Sequence, residues 1–258
     1  MNCLQKTIAI LACTAASLSW ADPVPSVQIQ FDNPIFNGSG YDNVYIKFTR
    51  PGATTVTTEY VSAGRFQGTG SQVVGVPETI FVDGLNDLYM YCYDVYQSIN
   101  HGSVVNYKIN LDGELDRTRD FLGAVNAVLN QGKAVYDPYA WLHPDTKFQG
   151  AAIQLGIWES KYETSGSWDL TQGAFQASAL ESATQAAWVS FRSAILTSAS
   201  IESPYIITLE SATYQDMITA DPPPRNDVPE PGSLALLGAA LAGLAWTRRR
   251  KAGAPHAE

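Results

Sequence analysis

Short apolar stretches and polar breaks succeed one another through the first hundred positions. "SVQIQF", "NVYIKFT", "TTVTTEYV", "QVVGV" and "TIFVDGL" are rich in Val, Ile, Thr and aromatics, and Gly, Asn, Asp and Pro punctuate them. That pattern predicts short β-strands. "DLYMYCYDVY" places Leu88, Met90 and Cys92 on one face and Tyr89, Tyr91 and Tyr93 on the other. "VVNYKINL" predicts one more strand near residues 104–111.

The period then changes. "LDRTRDFLGAVNAVLNQG" spaces Phe121, Val125 and Val128 for one helix face, with Gly132 as its stop. "TKFQGAAIQLGIWESKYE" sets Ala151, Leu155, Trp158 and Tyr162 on one stripe, and "TQGAFQASALESATQAAWVSFRSAILTSA" predicts an Ala-rich helix or helix pair. "YIITLE" and "YQDMIT" return to strand. The order β, α, β predicts an α+β fold: a β-barrel or β-sandwich core with a helical insertion, followed by a short C-terminal transmembrane helix.

The two ends divide the chain. "MNCLQKTIAILACTAASLSWA" has Lys6, an apolar run from Ile8 to Leu18, and small residues at Ser19 and Ala21. This predicts a signal peptide over 1–21, cut by signal peptidase before Asp22. A lipoprotein acylated at Cys13 is the other reading. At the far end a Pro-rich linker with Pro229, Glu230 and Pro231 spans 220–232. An apolar helix and basic stop follow over 233–251, then a tail over 252–258. The apolar part, Ser233 to Thr247, is roughly 22 Å long as a helix, a thin span for a core of roughly 30 Å. Arg248, Arg249, Arg250 and Lys251 would stay on the cytoplasmic side. Val228-Pro229-Glu230-Pro231-Gly232, the apolar run and the Arg cluster together resemble the PEP-CTERM sorting signal. The resemblance implies a Gram-negative host that makes exopolysaccharide and an inner-membrane intermediate. It also implies cleavage by an exosortase and release to the cell surface or matrix. A plain tail anchor is the alternative.

Charge narrows the partners. Without Lys6, the four tail cations, Glu230 and Glu258, the span from Asp22 to Val228 keeps 11 basic and 23 acidic residues, a net charge near -12. That balance excludes nucleic acid and anionic lipid surfaces. His101, His143 and one internal cysteine make no metal-ligand cluster, and no cofactor motif is present.

The lone internal thiol, Cys92, is the candidate for chemistry. A buried free cysteine often serves as a small hydrophobe. In an oxidising compartment it is also a liability, unless it is covalently occupied. Gln154 shares a helix face with Trp158, and Gln215 and Gln185 also sit beside apolar residues. Taken in order, "YCY" (Tyr91-Cys92-Tyr93), "IQLGIW" (Ile153 to Trp158) and "YQDMIT" (Tyr214 to Thr219) resemble the motif set of bacterial thioester (TQXA-type) adhesin domains. The resemblance spans roughly residues 85–219, within an extracellular domain expected over 22–219. It implies a thioester between Cys92 and Gln215, with Gln154 and Trp158 as the supporting motif. Tyr91, Tyr93 and Trp158 would exclude water. Ile153, Tyr93 and Thr219 depart from the family pattern, and Gln154 stays open as the alternative partner.

On that resemblance the protein is a covalent adhesin. It acylates an amine of a partner surface protein or matrix polymer, a single-turnover acyl transfer rather than enzymatic turnover. The other readings are a non-covalent structural or carbohydrate-binding matrix protein with an unreactive Cys92, and a cysteine hydrolase using His101 or His143.

Overall fold

The computed structural model describes residues 23–220 apart from residue 51. The expected signal peptide, sorting motif and C-terminal transmembrane helix lie outside the described residues. Among those described, no helix is long and apolar enough to cross a membrane.

Six antiparallel strands close into a barrel, which decides between barrel and sandwich. Around the barrel they run β1 (Ser26–Phe31), β4 (Phe66–Val74), β5 (Leu88–Cys92), β9 (Met217–Ala220), β8 (Ile206–Glu210) and β6 (Val104–Asn110), which returns to β1. Ala220, expected to open the linker, is the last residue of β9. Residues directly opposite in an antiparallel pair share a face. Val27 faces Tyr107, Ile109 faces Leu209, Leu209 faces Met217, and Met217 faces Cys92. One continuous apolar lining results, and Cys92 belongs to it. The opposite parity at Lys108 and Glu210 is outside, where the two form an exposed ion pair at 3.1 Å.

A second sheet holds β2 (Tyr41–Thr49) between β3 (Val56–Gly64) and β7 (Gln176–Ser178). Its alternation is strict: Asp42, Val44, Ile46 and Phe48 are buried, and Tyr41, Asn43, Tyr45 and Lys47 are exposed.

Between β6 and β8 the chain inserts α1 (Asp116–Leu129), α2 (Lys147–Tyr162) and α3 (Ser182–Ala194). A capping box starts α2: Thr146 Oγ1 accepts from Gln149 N–H at 3.2 Å, and the Gln149 side chain returns to the Thr146 N–H at 3.2 Å. The helix is buried from Gly150 through Ser160. The single apolar stripe expected from sequence is therefore replaced by burial all round, because barrel, second sheet and helices α1 and α3 surround it. Gly156 makes that packing possible. A β-carbon there would overlap the Phe121 ring of α1. Phe121 in turn meets Trp188 and Phe191 of α3 at 6.0 and 6.4 Å between ring centroids.

Two segments differ from expectation. "TIFVDGL" is a short 3-10 turn at Glu78–Ile80 followed by turns, since Pro77 and the Asp83-Gly84 turn (Gly84 φ 75°) bracket it too closely for a ladder. The Ala-rich segment is helical only over Ser182–Ala194. Its start forms β7, because Gly173 at φ 101° turns the chain and Gln176–Ser178 pairs with β2.

Candidate functional site

Cys92 ends β5, where the barrel ladder is incomplete. Tyr91 and Cys92 pair with Ile218 and Met217 of β9 on one side. On the other side β4 begins only at Phe66, opposite Met90. The polar backbone groups of Cys92 therefore lack a strand partner, and such groups must be paired when buried. Gln154 supplies both bonds. Its Oε1 accepts from Cys92 N–H at 2.9 Å, and its Nε2 donates to Cys92 O at 2.7 Å. Gln154 is fully buried, so its amide acts as a one-residue extension of the sheet.

Helix spacing puts Trp158 and Lys161 on the same face as Gln154, at i+4 and i+7. The Cys92 thiol donates to the backbone carbonyl of Asp94. Burial pushes the thiol well up, and the Asp94 carboxylate adds to this; hydrogen bonding from Trp158, the charge of Lys161 and the Asp94 backbone oppose it. Cys92 is therefore a thiol rather than a thiolate. The Trp158 indole N–H is buried and completes no well-formed hydrogen bond, although it is near enough to favour a charged sulfur.

Two carboxyls and one amine flank the thiol. Burial pushes the Asp94 carboxyl up to about 6; its Oδ2 accepts from Asp216 N–H at 3.1 Å, and its Oδ1 completes no well-formed hydrogen bond among the described residues, although the Gln97 N–H is near enough to oppose the rise. Burial also raises Asp216 and lowers Lys161. Lys161 Nζ lies 3.8 Å over the Tyr93 ring.

Gln215 stands two residues before Met217, the partner of Cys92. Its backbone is pinned: Gln215 O accepts from Tyr107 Oη at 2.9 Å, and the next carbonyl, Asp216 O, accepts from Tyr93 N–H at 2.6 Å. The Gln215 side chain enters no hydrogen bond among the described residues. It lines a cavity of about 290 Å³ together with Trp158, Val95, Ile35, Phe66 and His101.

The remaining candidates are placed as follows. Tyr91 occupies the other face of β5, pointing out of the barrel, where it stacks on Trp141 at 5.9 Å and donates to Trp141 O at 3.2 Å. It therefore supports the barrel from outside rather than walling the thiol. Tyr93 Oη accepts from Leu115 N–H at 2.9 Å. Gln185 is exposed on α3. His101 Nδ1 accepts from Ile35 N–H at 2.9 Å, and His143 Nε2 pairs with Asp83 at 2.9 Å. The thiol's hydrogen bond goes to Asp94 O, so neither imidazole is its base.

Sequence reasoning missed Asp94, whose carbonyl takes the thiol's hydrogen bond, Lys161 over the Tyr93 ring, Tyr107, which holds Gln215 O, and Tyr162, whose Oη accepts from Val95 N–H at 3.2 Å. Lys161 was findable from its i+7 spacing to Gln154. Tyr107 was not, because only barrel closure brings β6 opposite this end of β9.

Residues 227–250 match the family model described as a PEP-CTERM protein-sorting motif. The motif includes Pro229, Glu230 and Pro231 and lies outside the described residues. No curated protein and no solved structure matches the chain. The motif marks an exported protein that is processed at the membrane by an exosortase and displayed on the cell surface.

Proposed function

We propose that the displayed domain attaches covalently to its surroundings, through an internal thioester between Cys92 and Gln215 that acylates a partner amine. One observation carries the reading. The amide of Gln154 is consumed at both ends by the Cys92 backbone, whereas the amide of Gln215 is unengaged beside the same strand end and open to a cavity. Gln154 is then the positioning residue and Gln215 the acyl donor.

The chemistry balances. The Cys92 sulfur bonds to the Gln215 side-chain carbon, the C–N bond breaks, and ammonia leaves with the thiol proton. A primary amine then forms an amide with the same carbon, and Cys92 leaves as a thiol. The product exists once per molecule, so this is attachment and not turnover. Because burial keeps Cys92 a neutral thiol, attack on the amide requires its proton to leave with the ammonia, and the thioester that results is neutral like the thiol it replaces. Trp158 lines the same cavity as Gln215, and its buried N–H is the donor we assign to the oxygen of the acyl group. The host is a Gram-negative bacterium, and the partner is an amine-bearing surface protein or matrix polymer.

The test is intact mass of the purified chain. The wild type should fall short of its sequence mass by one ammonia, and methylamine should add across the bond. Cys92→Ala and Gln215→Ala should both show full sequence mass. A wild-type chain at full sequence mass, with a titratable thiol on unfolding, would overturn the covalent reading.

A further inference from the structure

The outer face of the second sheet carries a surface the thioester does not explain. Its exposed positions follow from register: Asn43 opposite Ser62, Tyr45 opposite Tyr60, and Lys47 opposite Thr58 and Gln176. Tyr45 and Tyr60 are 50% and 60% exposed and lie 4.7 Å apart between ring centroids. Ser62 Oγ donates to Asn43 Oδ1 at 2.8 Å, so hydroxyl and amide are held beside the rings. A groove of about 270 Å³ opens alongside, lined by Tyr45, Lys47, Thr58, Thr171, Gln176 and Ser178 among others.

We infer that this strip binds a neutral polysaccharide. Paired tyrosines offer flat apolar faces with polar edges, which fit the C–H face of a pyranose ring. The flanking amides and hydroxyls donate and accept at the height of its hydroxyl groups. The paired β2 and β3 positions from Tyr41 to Thr49 place no carboxylate on this face: Asp42 and Glu59 have the buried parity, and Glu59 lines the cavity on the other side. In a chain of net charge -9 such a strip is unusual. One lysine is too little for an anionic polymer or lipid surface, which the remaining acidic surface repels. Ile46, Leu170 and Ala177 also line the groove, so a second copy of the chain is the competing occupant, and the test below reads it as a shift from dimer to monomer. Surface display puts the strip within reach of such polymers.

The test is affinity electrophoresis of the full chain in detergent, in gels holding dextran, laminarin, galactomannan or hydroxyethyl cellulose, with alginate as the anionic comparison. Migration should be retarded in at least one neutral gel and not in alginate. Tyr45→Ala/Tyr60→Ala should weaken binding by about tenfold or more. Gln176→Ala should weaken it without loss of a ring, and Tyr136→Ala should leave it unchanged. Cys92→Ala should also bind normally, so failure of the thioester leaves this result readable. Circular dichroism melting confirms that each variant is folded. Three results would overturn the inference: no retardation in any neutral gel, retardation that the double variant retains, or a double variant whose one change is a shift from dimer to monomer.

Discussion

The side-chain amide of Gln154 closes a two-point hydrogen-bonded ring on the backbone of Cys92, with its oxygen at 2.9 Å and its nitrogen at 2.7 Å. A helix thereby completes a strand ladder. Gln154→Ala leaves a buried N–H and C=O unpaired and opens a void. The expected loss is about 3 kcal/mol of unfolding free energy, read by urea denaturation. A loss under about 0.5 kcal/mol would mean that the clamp is dispensable.

Trp158 separates shape from hydrogen bonding. Trp158→Phe keeps an aromatic wall and removes the buried N–H. If that group stabilises the acyl oxygen, methylamine capture should slow by about a hundredfold while the ammonia-deficient mass remains. An unchanged rate would remove Trp158 from the chemistry and leave it a packing residue.

Cys92 should be chemically silent until the chain opens. It is fully buried, and its thiol is pushed up by burial and by Asp94. In Gln215→Ala, which cannot form the proposed bond, maleimide labelling should be slow in buffer and complete in denaturant. Fast labelling of the folded variant would contradict the burial.

Gly156→Ala should be severely destabilising, by about 2 kcal/mol or more, because the new methyl meets the Phe121 ring. Calorimetry of Gly156→Ala with and without Phe121→Leu gives the check. The pair should lose less than the sum of the single changes.

Acidity should stabilise the domain. Burial first, then the neighbouring Glu163, pushes Glu159 up to about 7 against the lowering bond from Asp169 N–H, and burial lifts Asp94 to about 6. Both carboxyls bind a proton more tightly folded than unfolded. The stability they contribute is therefore complete below the unfolded values near 4, and is lost as pH rises through about 6 to 7. Thermal midpoints should fall by a few degrees between pH 5 and pH 8. Glu159→Gln, which keeps an acceptor for Asp169 N–H, should flatten that slope. A midpoint that rises over this range would refute the assignment.

Much of this protein could be read from residue order. Runs of Val, Ile, Thr and aromatics between turn residues located β1, β2, β3, β5, β6 and β8, because such side chains fit a pleated, packed surface, and alternation along β5 set Cys92 on the face of Leu88 and Met90. The helical period located α1 and α2, and the Pro-Glu-Pro triplet with its apolar run and arginines announced surface sorting. The lone Cys92 and the two glutamines near it were visible for the same reason: polar and reactive groups among apolar residues need an account. Tertiary structure decided what those groups do. Only barrel closure turned a strand run into a continuous lining and set Cys92 opposite Met217. Only the start of β4 at Phe66 left the Cys92 backbone without a ladder partner on that side, so that Gln154 took its place and Gln215 kept a free amide. The turn at Gly173 made β7 from residues that read as helix. Local sequence sets which faces are apolar; ladder ends and close approaches depend on neighbours distant in the chain, and no local period encodes them.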